Sequence, residues 1–126
     1  MAHPVYYFEI PVTDMDRAVK FYEELLGTKL DREVVDGYDM ARFPFADGAP
    51  GATGALAKGD VYKPSKDGAI VYFHVEDIKA TVAKAKAMGR PVLYPVKDIG
   101  AAGFVAEIED SEGNRLALSQ LPEEAK

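Results

Sequence analysis

The chain contains no cysteine. Disulfides, thiol nucleophiles and thiolate metal sites are therefore excluded, and a reducing cytoplasm is the fitting location. Basic charge is also short: 15 Lys and Arg stand against 21 Asp and Glu, a formal net charge of -6. Nucleic acid needs a basic face to offset its phosphates, so no nucleic-acid partner is expected. No apolar run reaches the ~20 residues needed to span a bilayer, so no membrane partner is expected. The opening MAHPVYYFEI lacks the basic segment and long apolar stretch of a secretory signal. Histidine is scarce. His3 lies in a loose N-terminus and reads as inert, which leaves His74 as the one histidine of the folded body. With Ser119 late in the chain and one usable histidine, no Ser-His-Asp triad can be ordered. The glycine-rich stretch ADGAPGATG (46–54) lacks the Lys-Ser/Thr ending of a phosphate cradle, and no helix follows it. It reads as a loop.

What is present is one domain's worth of chain, residues 1–126, with 48% hydrophobic residues, enough for a core. The organising stretch is VYYFEIPVTDMDRAVKFYEELLG, Val5 to Gly27. Its β-branched and aromatic start is a strand. Alternation puts Tyr6, Phe8 and Ile10 on an apolar face that should lie under a helix, and Tyr7, Glu9 and Pro11 on the other. Thr13 or Asp14 supplies an N-cap oxygen. Met15, Ala18, Val19, Tyr22, Leu25 and Leu26 then recur at helical spacing, and Gly27 ends the helix in a left-handed turn. Phe21 lies off this stripe and reads as an interface residue or one exposed aromatic.

Strands follow at Thr28 to Val35, Met40 to Phe45 and Ala52 to Lys58, with Asp36-Gly37 as a turn. In the second of these, Ala41, Phe43 and Phe45 share one face. The polar segment GDVYKPSKDG (59–68) links two halves. Ala69 to Val75 restarts the pattern, with Val71, Phe73 and Val75 inward and Ile70, Tyr72 and His74 outward. Asp77 caps a second helix with Ile78, Thr81, Val82, Ala85 and Met88 as its buried stripe, closed by Gly89. Lys79, Lys84 and Lys86 form its solvated face. Strands at Pro91 to Val96, Phe104 to Glu109 and Arg115 to Leu121 complete the chain, the last two joined by the turn DSEGN. The tail PEEAK reads as solvated.

Asp14 and Asp77 head the two helices at an offset of 77 - 14 = 63. That offset also lays Val12 on Val75, Met15 on Ile78 and Val19 on Val82. Self-similarity of this kind is a strong fold signal. It predicts an α+β domain of two βαβββ modules in tandem, residues 5–58 and 69–121, forming a curved mixed sheet with a cup on the face away from the helices.

The stretches IPVTDMDRAVKFYEELLG, YFHVEDIKATVAKAKAMG and EDSEGNRLALSQ resemble the vicinal oxygen chelate superfamily, which includes glyoxalase I, bleomycin-resistance proteins and extradiol dioxygenases. The closing stretch is similar to the superfamily's D-P-x-G-N turn and final strand. In metal-dependent members four His, Glu or Gln side chains hold one divalent ion. The resemblance implies that the corresponding positions here are Tyr7, Ile70 and Ala117, with a fourth near Gly54. Ile, Ala and Gly offer no donor, and Tyr7 could ligate only as a phenolate. A catalytic ion needs about three protein ligands. No metal and no other cofactor is therefore expected, and Glu9 with His74 are too few for a displaced site. The resemblance also implies a homodimer.

Six residues mark the expected cup. Glu9 is a candidate general base or hydrogen-bond acceptor, or else half of an ion pair with Arg42 or Arg115. His74 is a candidate acid, or a hydrogen-bonded histidine at a strand end. Tyr7 and Tyr72 could stack on an aromatic ligand or simply line the cup. Arg115, beside Ser119, could hold an anion or pair with an acid. Three functions follow. The first is a metal-independent binder of a small molecule. The second is a lyase or isomerase with Glu9 as base and His74 as acid. The third is an accessory domain whose cup is filled by its own side chains.

Overall fold

The computed structural model describes residues 3–122. The charged tail lies, from residue 123 onward, outside the described residues. The first half runs β1 (Tyr7–Val12), α1 (Met15–Leu26), β2 (Asp31–Val35), β3 (Tyr38–Arg42) and β4 (Thr53–Lys58). The second runs β5 (Tyr72–His74), α2 (Ile78–Ala87), β6 (Val92–Asp98), a 3-10 turn (Gly100–Ala102), β7 (Phe104–Glu109) and β8 (Arg115–Gln120). Each half makes a four-stranded mixed sheet, ordered β1-β4-β3-β2 and β5-β8-β7-β6. In both, the opening strand runs parallel to the closing strand and the other neighbours are antiparallel. A helix between the first two strands carries the chain across to set up that parallel edge.

Local chemistry explains the elements. Asp14 caps α1 by accepting from the Arg17 amide at 3.1 Å, and Asp77 does the same for α2 from Ala80 at 3.1 Å. Gly27 closes α1 at φ 65°, ψ 36°, a left-handed conformation that glycine adopts without steric cost. Asp36 and Gly37 both have positive φ, as a two-residue hairpin between β2 and β3 demands.

The helix faces of both sheets share one core. Ile10, Val12, Tyr22, Leu25, Phe43 and Leu56 of the first half pack with Ala85, Ile108 and Leu116 of the second. Phe73 of β5 lies 5.8 Å edge-on from Phe8 and 5.4 Å from Phe43. Phe8 reaches this position by lying over Gly54. A Cβ there would sit 2.7 Å from the Phe8 ring. Fully burying a large apolar side chain, as at Leu25 and Leu56, contributes about 1.5–3 kcal/mol.

Three readings of burial change. Phe21 is buried, at 4% exposure, and stacks edge-on against Tyr22 at 5.2 Å. Met88, Arg90 and Ser111 of the second half line a hollow with it, so α1 is covered on more than the side facing its own sheet. Tyr6 is 91% exposed, because β1 begins only at Tyr7. Phe45 is 68% exposed, because β3 ends at Arg42 and the chain leaves the sheet after Phe43. Among the described residues no helix is long and apolar enough to cross a membrane.

The halves are locked by the turn after β7. The Glu112 carboxylate accepts from the amides of Thr13 and Asp14, both at 2.9 Å, and from the Arg17 guanidinium at 2.8 and 3.0 Å. These donors outweigh desolvation and hold its carboxyl at a pKa of about 2. The Tyr22 hydroxyl, fully buried, donates to Asp110 at 2.5 Å. Asn114 donates to the Pro11 carbonyl at 2.8 Å. A carboxylate whose folded pKa is depressed adds stability above its unfolded pKa and loses it as pH falls. Glu112→Gln should therefore cost about 2–3 kcal/mol at neutral pH. In the parent, denaturant midpoints should fall between about pH 4.5 and 2, and the variant should lack that component.

Candidate functional site

Each sheet has an outer face turned from the shared core. On the first sheet Tyr7, Glu9 and Pro11 of β1 alternate with the inward Phe8, Ile10 and Val12. On the second, Tyr72 and His74 of β5 stand beside Ala117 and Ser119 of β8. Tyr7 is 43% and Tyr72 54% exposed, so in a single chain these side chains meet solvent.

The first face is organised around Glu9. Tyr7 donates to Glu9 Oε2 at 3.1 Å, and Tyr62 donates to Glu9 Oε1 at 2.8 Å. Tyr62 comes from the 59–68 link, which returns across the sheet. There Tyr62 and Tyr38 cover Met40, Ala55 and Ala57, with their rings 5.3 Å apart and perpendicular. Gly59 makes the return possible. A side chain there would strike the Tyr38 ring at 2.3 Å. The hydrogen bond to Glu9 pushes the Tyr62 phenol up to about 12, and burial followed by the bond to Glu9 raises Tyr7. Both phenols are therefore donors at neutral pH.

Neither expected ion pair of Glu9 forms. Arg42 pairs with Glu33 at 3.2 Å. Arg115 pairs with Glu107 and donates to the Lys66 carbonyl at 3.3 Å. Tyr62 and Tyr38 were not singled out in the sequence. The only sign there was an aromatic pair, Tyr38 and Tyr62, in turn and link segments that are otherwise polar. The structure brings Tyr7 and Glu9 together on the first sheet, and Tyr72, His74, Arg115 and Ser119 together on the second.

A model of the Glyoxalase/Bleomycin resistance protein/Dioxygenase superfamily matches residues 4–118. The chain belongs to that superfamily. It is 32% identical over 122 residues to a glyoxylase-like domain-containing protein of Didymella fabae, covering 90% of this chain and 91% of the relative. It is 31% identical to a lactoylglutathione lyase of Haemophilus influenzae, covering 83% of each. Among solved structures it is similar to the trypanothione-dependent glyoxalase I of Leishmania major, with 26% identity and a TM-score of 0.71, covering 94% of this chain and 87% of that one.

The superfamily's divalent metal can be tested against the residues present. Register moves the fourth ligand position. Ala117 pairs with Tyr72, and the residue equivalent to Tyr72 in the first half, Glu9, pairs with Ala55. Gly54, the expected position, faces Phe8 on the helix side. The reason is that the first half is one residue longer between helix cap and closing strand: 55 - 14 = 41 against 117 - 77 = 40. The four positions are thus Tyr7, Ala55, Ile70 and Ala117. Three carry no donor atom, and the Tyr7 hydroxyl donates to Glu9. Among the described residues no group of three or more His, Asp or Glu side chains is placed to hold a metal ion. The residues do not fit the group.

The Glu9 network gives a spectroscopic test. Ultraviolet titration should show one phenol ionising near 12 that is missing in Tyr62→Phe. In Glu9→Gln that phenol should titrate close to the ordinary value of about 10. An unchanged titration in Glu9→Gln would mean that Glu9 does not hold Tyr62.

Proposed function

We propose that this member of the superfamily binds a small molecule on the outer sheet faces without a metal ion, as a homodimer in the cytoplasm. One observation carries the reading. The four chelating positions hold Tyr, Ala, Ile and Ala, while the groups around them are suited to binding: exposed phenols, the Glu9 carboxylate, Arg115 and His74. Polar and aromatic groups on an open sheet face can hold a ligand. Divalent-ion chemistry needs donors that these positions lack. The exposure of Tyr7 and Tyr72 favours a second copy as the cover that excludes water from the ligand.

The likeness to a lactoylglutathione lyase supports a second reading, a lyase or isomerase with Glu9 as base and His74 as acid. It is the weaker one, since both Glu9 oxygens already accept from phenols. Arg115, Tyr72 and Ser119 would then position the substrate. An accessory domain without a ligand is the third alternative.

A thermal-shift screen separates these readings. A ligand should raise the melting midpoint by mass action, equally with and without a chelator. Glu9→Gln should weaken a ligand held at Glu9 about tenfold, roughly 1.4 kcal/mol. Stabilisation that appears only with an added divalent ion would overturn the metal-free reading. Turnover abolished by Glu9→Gln would favour the lyase. No stabilising ligand in a broad screen would favour the accessory domain.

A further inference from the structure

Glu9 differs from four other glutamates of the fold. Glu33 pairs with Arg42, Glu107 with Arg115, Glu109 with Arg90 and Lys66, and Glu112 with Arg17. Glu9 is exposed, and among the described residues no cation stands within ion-pair distance of it. Two neutral phenols hold it instead. A phenol hydrogen bond fixes the carboxylate in place and leaves its charge uncompensated. It also brings the two rings close to that charge, and Tyr38 stands at right angles to one of them. Tyr7 further borders a hollow of about 460 Å³ whose walls include Phe45, Ala49 and Pro50.

A fixed carboxylate beside several aromatic rings is the chemistry that recognises an organic cation, through charge attraction and the negative ring faces together. We propose that the first sheet's outer face is a site for an organic cation, an alkylammonium or quaternary ammonium group carrying an apolar body. The ammonium sits against Glu9 among Tyr7, Tyr38 and Tyr62, and the apolar body extends into the hollow beside Tyr7. Arg42 flanks Tyr7 and is also a wall of this hollow, with its charge paired to Glu33 at 3.2 Å. Glu9 also lines a cavity of about 250 Å³ with Lys63, Asp67 and Arg115, where the Arg115 charge is paired with Glu107. This proposal names the ligand class for the binding reading above and rests on it.

The probe is benzyltrimethylammonium, titrated into the full chain by calorimetry, beside its uncharged carbon isostere neopentylbenzene. Saturable binding of the cation is expected, with the isostere at least about tenfold weaker. Glu9→Gln and Tyr62→Leu should each weaken the cation by about tenfold or more. Tyr62→Phe, which keeps the ring but removes one of the two bonds that fix Glu9, should lose less affinity than Tyr62→Leu. Melting curves of each variant check that the fold is intact, and a variant that has lost it is replaced by Tyr7→Leu, for which the same loss is expected. Equal binding of cation and isostere, or full affinity in Glu9→Gln, would overturn the proposal. So would the absence of cation binding, yet a neutral or anionic ligand found by the screen would still leave the broader binding reading standing.

Discussion

The fold depends on one acidic turn meeting the start of a helix from the other half of the chain. Asp110, Glu112 and Asn114 lie in five consecutive residues, and each reaches across to the first half: to Tyr22, to Thr13, Asp14 and Arg17, and to Pro11. A helix N-terminus presents free amides and partial positive charge, so a carboxylate there is stabilising. Here the carboxylate belongs to the far module. The electrostatics that complete α1 therefore also fix the module-to-module geometry. That geometry closes the core in which Phe73 meets Phe8 and Phe43.

With the helix faces joined in this way, chemistry is left to the outer faces. The parallel pairing of opening and closing strands sets Tyr7 and Glu9 beside Thr53 and Ala55, and Tyr72 beside Ala117. In a chelating member of the superfamily these small and apolar positions would have to carry donors. In this chain Ala55 and Ala117 are fully buried beneath their neighbours. On the first face the space above Ala55 is taken by Tyr62 and Tyr38. The link between modules thus does more than connect them. It delivers the phenol that immobilises Glu9.

Much of the fold was legible because its signals are local. Alternation in β1 and β5, the caps Asp14 and Asp77, and the terminator Gly27 each act over a few residues, and the 63-residue offset repeats them. Contacts set by tertiary return paths were not legible. The destination of Tyr62 depends on how the link crosses the sheet, so sequence alone showed only a tyrosine in a polar segment. Phe21 was misread because a single-helix pattern knows one covering surface, whereas α1 has two. Glu112 accepts from the amides just ahead of a helix, Asp14 lying 98 residues earlier, a pairing no local pattern contains. Arg42 and Arg115 found acids on neighbouring strands of their own sheets, which the hairpin registers decided.

The proposed metal-free function rests on a superfamily frame whose four chelating positions here hold Tyr7, Ala55, Ile70 and Ala117. Elemental analysis of the protein, purified without added metal or chelator and without a histidine tag, tests it most directly. The account predicts no stoichiometric nickel, zinc, iron or manganese. One tightly held divalent ion per chain, lost when Tyr7 or Glu9 is replaced, would contradict it.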